Sequence, residues 1–153
     1  MGIKSYVTAK AGEEKKRDSH ILIKDIMVKQ LIVFRPEQTV VEAMEILVKN
    51  KISGGPVVNS KGDLIGMISE GDCLKEISNS RYYNIPMASH KLEEFMSKDV
   101  DTFDADMDLF DVCELFHKNK RRRFPVLSQG KLVGQVSQID VLRAILNAKH
   151  QVW

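Results

Sequence analysis

The run Gly66-Met-Ile-Ser-Glu-Gly-Asp72 returns later in the chain as Gly134-Gln-Val-Ser-Gln-Ile-Asp140, with Gly, a β-branched residue, Ser and Asp in the same order. An echo at fixed spacing constrains architecture more than local propensity does, because it implies one structural unit made twice. Upstream, Pro56-Val-Val answers Pro125-Val-Leu at 125 − 56 = 69 residues, and Ile26-Met27 answers Phe95-Met96 at 96 − 27 = 69. From Gly62 and Gly130 onward the spacing is 130 − 62 = 68, which is one residue lost from a turn. The chain is a duplicated supersecondary unit.

Each copy predicts the same order of elements. Ile21–Met27 reads as a short helical turn, and Leu31-Ile-Val-Phe34 as a buried strand stopped by Arg35-Pro36. Thr39-Val-Val-Glu42 is a capping box, so a helix is expected to about Asn50 with Val40, Met44, Leu47 and Val48 on its inner face. Gly54-Gly-Pro-Val-Val58, a turn at Asn59–Asp63 and Leu64–Ile68 predict a hairpin. Ser69 then opens a helix to about Ser78. The second copy offers Phe95-Met96, a strand at Val100–Phe103, and Asp108 as N-cap of a helix burying Leu109, Val112, Cys113 and Phe116. Phe124–Leu127, a turn at Ser128–Lys131, Leu132–Val136 and a helix from Ser137 complete it. The expected fold is α+β: two βαββα repeats packed sheet to sheet about a pseudo-twofold axis, with related clefts where the copies meet. The expected boundaries are a polar, mobile arm at 1–20, on which Ile3, Tyr6 and Val7 could dock, then repeats at 21–79 and 92–149. A connector at 80–91, carrying Tyr82, Tyr83 and Pro86, joins them, and a tail covers 150–153.

A formal net charge of +2 does not by itself call for nucleic acid or an anionic membrane. No apolar run approaches the roughly 20 residues of a membrane span, and the start lacks the apolar core of a secretory signal, so the cytoplasm is the expected compartment. The two cysteines, Cys73 and Cys113, sit at non-equivalent positions outside any metal-ligand spacing, and reduced, mostly buried thiols are expected. His20, His90, His117 and His150 fall in no nucleophile or metal motif, with His117 expected to be partly buried on its helix. No Gly-rich phosphate loop and no HExxH pattern occurs. The expectation is therefore a non-enzyme with no required cofactor.

The paired Met, the Pro after the first helix and the doubled Gly-x-hydrophobic-Ser-x-x-Asp run resemble a tandem pair of CBS domains, the regulatory module named after cystathionine β-synthase. The resemblance covers roughly residues 20–149. It implies adenosine-containing ligands such as AMP, ADP, ATP, NAD or S-adenosylmethionine, bound in clefts between the repeats. It also implies further association into a disc-shaped homodimer, and a regulated protein effector that the sequence does not name.

Ser69 and Asp72 have two readings. Ser-x-x-Asp at a helix start is a capping arrangement, and a helix N-terminus also attracts phosphate. The resemblance carries Ser69 and Ser137 over as phosphate contacts, and Asp72 and Asp140 as ribose contacts. Gly66 and Gly134 are expected to be structural, allowing close backbone approach. Ser53, Gly54, Gly55 and Pro56 suit contact with a flat purine, or are a plain turn into a strand. By the family pattern, the backbone of Ile32 and Val33 adds a wall. In the second copy the matching run is Arg121-Arg-Arg-Phe-Pro125. There Arg122 and Arg123 suit phosphate or form a solvated basic surface. Phe124, ahead of Pro125, covers an adenine or fills the core. The two alternatives to a nucleotide sensor are an assembly module with empty clefts and nucleic-acid binding through Arg121–Arg123. Asp99, Asp101, Asp104, Asp106, Asp108, Asp111 and Glu114 argue against the latter.

Overall fold

The computed structural model describes residues 2–7, 21–84, 86 and 89–152, apart from the side chains of 149–152. The elements are β1 (Ile3–Tyr6), α1 (Ile23–Ile26), α2 (Val40–Asn50), β2 (Gly54–Val58), β3 (Leu64–Ser69), α3 (Glu70–Tyr83), α4 (Leu92–Phe95), β4 (Val100–Asp104), α5 (Leu109–Asn119), β5 (Arg123–Ser128), β6 (Lys131–Ser137) and α6 (Gln138–Val152). This is the expected mixture of helix and strand with the βαββα-like order written twice. The chain divides into two compact units. Of the described residues, one holds 2–3 and those from 32 to 100, and the other holds 4–7, 21–31 and 101–152.

In the first unit β2 and β3 form an antiparallel hairpin, with Gly54 opposite Ser69 and Val57 opposite Gly66. Its turn closes through Asn59, whose Oδ1 accepts from the N–H groups of Lys61 and Asp63, both at 3.0 Å. Gly62 sits there at φ +79, in the left-handed region that favours glycine. Helix α2 opens on the Thr39–Glu42 capping box and stops at Lys51 in the left-handed conformation. Phe34, Val40, Ala43, Leu47, Val57, Ile68, Cys73 and Leu92 build the core.

Leu31–Phe34 is not a strand. Only Phe34 joins β2: its N–H donates to Pro56 O and its own O accepts from Val58 N–H, both at 2.9 Å. The ladder stops there because Pro56, the next residue back on β2, has no N–H to offer. Two further expectations are corrected. Val48 is 78% exposed, and Ala43 takes the buried position on α2 while Met44 is half-buried. Helix α3 runs through Tyr83, so the first four residues assigned to the connector are helical.

In the second unit the strand order is β1-β4-β5-β6. β4 runs parallel to β5 with Phe103 opposite Val126, and β5 and β6 form a hairpin with Arg123 opposite Ser137. The beginning of the expected mobile arm is therefore β1, fixed by Ser5 Oγ on Thr102 Oγ1 at 2.7 Å and by Tyr6 edge-on to Phe103. Residues 8–20 lie outside the described part. β4 persists where Leu31–Phe34 does not because β1 pairs its other edge. Asp108 caps α5 by accepting from Phe110 N–H at 2.8 Å. Leu109, Val112 and Phe116 are buried as expected, with Cys113 half-buried beside them, whereas His117 is exposed. Helix α6 continues through Val152, past the expected end of the repeat.

The openings of the two repeats change places between the units. Ile23 and Lys24 donate backbone bonds to Met107 O and Ala105 O, each at 2.9 Å, and Val28 and Gln135 exchange two bonds, all within the second unit. Correspondingly, Leu92 and Glu93 donate to Gln38 O and Pro36 O, and Met67 and Ser97 exchange bonds, all within the first. A Cβ on Gly134 would lie 2.5 Å from Met27 Sδ, and one on Gly66 2.8 Å from Met96 Sδ. The repeated glycines and the repeated methionines are thus two halves of one packing contact.

Candidate functional site

The first unit brings three stretches together at the start of α3. Gly54 faces Ser69 across the hairpin. Ser53 O accepts from Glu70 N–H at 2.9 Å, which ties the stretch before Pro56 to the first turn of the helix. The backbone of Ile32 reaches the same place, since a Cβ on Gly55 would lie 3.0 Å from Ile32 O and 2.8 Å from the Phe34 ring. A Cβ on Gly54 would lie 2.5 Å from Ile68 O. Packing therefore requires both glycines. Gly54, Gly55 and Pro56 are buried, Ser53 and Val33 are half-buried, and Ile32 is 37% exposed.

The Ser–Asp pair is a closed cap with one acceptor left over. Ser69 Oγ accepts from Asp72 N–H at 3.2 Å and donates to Asp72 Oδ2 at 3.0 Å, and Ser69 N–H donates to the same Oδ2 at 2.9 Å. Both half-buried side chains are held in one geometry. Among the described residues no donor takes Asp72 Oδ1. A hydroxyl pair placed at this helix start would meet an oriented carboxylate oxygen without breaking the cap. A phosphate would have to compete for the Ser hydroxyl.

The second unit repeats the construction. Ser137 N–H and Oγ donate to Asp140 Oδ2 at 2.9 and 2.8 Å, and Asp140 N–H donates back to Ser137 Oγ at 3.4 Å. Arg122 O accepts from Gln138 N–H at 3.1 Å, as Ser53 O does from Glu70. Two features differ. Asp140 Oδ1 lies 3.4 Å from Arg143 Nη1. The run before Pro125 is basic, with Arg122 exposed and Arg123 half-buried, while Arg121 Nε donates to Asp101 at 2.9 Å. Phe124 is fully buried, 4.0 Å from Phe103 in a stacked arrangement, and Pro125 is buried with it. The Phe124 side chain is therefore core, and what it can offer a ligand is backbone.

Sequence reasoning missed Glu70 and Gln138, whose N–H groups hold each site together. The signal was present, since each directly follows the repeated Ser. It also missed an open groove of about 810 Å³ between α2 and α3, bordered by Met44, Leu47, Val48, Leu74 and Ile77 and reaching Ser53 and Glu70. The exposed Val48 faces this groove. Both cysteines are free. Burial pushes the Cys73 thiol above its ordinary pKa, with Asp72 adding to it, and burial likewise raises Cys113. No group of three His, Cys, Asp or Glu side chains that could hold a metal occurs among the described residues.

The family model for the CBS domain matches twice, over residues 23–79 and 92–147. The chain belongs to the CBS-domain family. An uncharacterised protein of Methanocaldococcus jannaschii is 33% identical over 155 residues, covering 82% of this chain and 92% of that protein. In other curated relatives the matched stretch makes up from 15% to 73% of their length, so this chain spans less than two thirds of most of them. Two solved structures superpose along most of their length. One is CBSX2 in complex with AMP, at TM-score 0.74 and 30% identity, covering 84% of this chain and 98% of that one. The other is the CBS domain pair of protein MJ0100 in complex with 5′-methylthioadenosine and S-adenosyl-L-methionine, at TM-score 0.69 and 28% identity, with the same coverages. No helix among the described residues is long and apolar enough to cross a membrane.

Proposed function

We propose that this CBS pair is a non-catalytic regulatory module that binds an adenosine-containing ligand (AMP, ADP, ATP, NAD or S-adenosylmethionine) at the Ser-x-x-Asp helix start of each repeat. Asp72 and Asp140 take the ribose hydroxyls, Ser69 and Ser137 lie at the phosphate or other 5′ substituent, and the backbone of Ile32, Val33 and Ser53–Pro56 borders the base in the first repeat. The observation that carries the reading is the free Oδ1 of Asp72 on a carboxylate already oriented by its cap. The adenosine ligands of the two solved relatives support it. Ligand binding acts by population shift, favouring the arrangement of the chain to which the ligand binds better, and a homodimer and a protein effector in the cytoplasm read out the change.

The test is a thermal melt of the full chain with each of the five ligands. A ligand at 100 times its dissociation constant stabilises the folded state by about 2.7 kcal/mol. For a chain this size that is a rise in Tm of roughly 5–10 °C. No shift with any of them at millimolar concentration contradicts the proposal. A second reading, an assembly module whose Ser-x-x-Asp is only a cap, has one observation in its favour: Ser69 Oγ, Ser69 N and Asp72 Oδ2 already satisfy one another. It predicts that Asp72→Ala lowers the melting temperature and leaves every ligand response unchanged.

A further inference from the structure

The two helix starts share one pattern of backbone bonds and differ in the charged side chains around it. Ser53 meets Glu70 in the first unit as Arg122 meets Gln138 in the second, each through one backbone hydrogen bond, at 2.9 and 3.1 Å. Gly54 faces Ser69 as Arg123 faces Ser137. Passing from the first site to the second therefore replaces Ser53 by Arg122, Gly54 by Arg123 and Glu70 by Gln138. Of these, the exposed Arg122 adds one positive charge and the loss of the exposed Glu70 removes one negative charge. Arg121, which replaces Ile52, is neutralised by Asp101, which replaces Ile32. Lys75 and Arg143 carry equal charge, yet only Arg143 sits on the aspartate of its site, at 3.4 Å.

These differences act where a 5′ substituent would lie if the ribose is held by the aspartate. In the first unit the exposed Glu70 is the first residue of α3 and opposes the attraction of the helix N-terminus for an anion. In the second unit Gln138 leaves that attraction intact and Arg122 adds to it. Arg143 also neutralises the carboxylate that would otherwise repel a phosphate.

Resting on the adenosine reading above, we propose that the two sites are sorted by charge. The first accepts an adenosine ligand whose 5′ substituent carries no net negative charge, and the second requires a phosphorylated one. One CBS pair would then report the balance between two chemical classes of adenosine compound instead of the level of one.

Calorimetry on the full chain with adenosine and AMP tests this, using Asp140→Ala to leave the first site and Asp72→Ala to leave the second. In Asp72→Ala, AMP should bind at least tenfold tighter than adenosine, and raised salt should erode the difference. In Asp140→Ala, AMP should bind no tighter than adenosine. Adding Ser53→Arg and Glu70→Gln to Asp140→Ala should raise the ratio of AMP to adenosine affinity at least fivefold. In the otherwise wild-type chain, where folding of the aspartate variants is not at issue, Arg122→Gln should lower the AMP affinity of the phosphate-selective site at least threefold. Equal ratios in the two single-site variants, or a graft that leaves the ratio unmoved, overturn the sorting while the adenosine reading stands. A wild-type chain that binds neither compound overturns the sorting, and the adenosine reading falls with it only if ADP, ATP, NAD and S-adenosylmethionine also leave the melt unshifted.

Discussion

Gly66 and Gly134 are the matched positions at which both repeats depend on a missing side chain. Adding a methyl to either meets a methionine sulfur and a backbone oxygen, Ser97 O at 2.8 Å or Val28 O at 2.9 Å. The sulfur can move, but the oxygen is fixed by strand pairing. Gly66→Ala and Gly134→Ala should each cost about 1–3 kcal/mol in denaturant unfolding, the range for overpacking a filled core. Removing the Thr39 hydroxyl should cost about 1 kcal/mol through the cap alone. The thiols supply a pH dependence with a definite sign. Cys73 and Cys113 are held above their ordinary pKa by burial, so the unfolded chain releases these protons first. Their contribution to stability is complete below the ordinary thiol range and is lost as pH rises through it. Unfolding midpoints measured across pH 7 to 10 should therefore fall less steeply in Cys73→Ala than in wild type.

At the scale of elements, most of the molecule could be read from spacing and punctuation. The capping box at Thr39, the Asn59–Asp63 turn, the Asp108 cap and the two Ser-Asp helix starts all lie where the sequence predicted them, because each is a local hydrogen-bonding unit of three to five residues. What could not be read depended on neighbours distant in sequence. Leu31–Phe34 has the composition of a strand, but Pro56 offers Ile32 no N–H and, among the described residues, no second strand lies on its other edge as β1 does on β4. The beginning of the arm becomes β1 only because β4 has a free edge. Val48 keeps the helical period of the inner face, yet it lies over the α2–α3 groove instead of the core. Phe124 was open between base contact and core, and its stack on Phe103 places the side chain in the core. Truncating it to Ala should cost about 3–5 kcal/mol and should lower stability equally with and without an adenosine ligand.

For the whole molecule, the sequence repeats and the compact units are differently bounded, because each repeat lends its opening turn to the unit built by the other. Repetition shows which residues correspond; it does not show which copy they pack on. The contact between Met27 and Gly134 carries this arrangement. Deleting the residues before Lys29 should therefore speed amide exchange most in β4, which loses β1, and in β6, which loses both bonds to Val28, and leave β2 and β3 closest to wild type. The candidate sites were legible as matched residues. Their difference in charge was also written in the sequence, but its meaning waited on the backbone bonds that set Ser53 against Glu70 and Arg122 against Gln138.

The most direct measurement is isothermal titration of the full chain with AMP, ATP, NAD and S-adenosylmethionine, repeated on the Asp72→Ala/Asp140→Ala variant. The account predicts saturable binding of at least one of them to wild type and a loss of at least tenfold in the variant. No binding at millimolar concentration, or binding that the double substitution leaves intact, would contradict it.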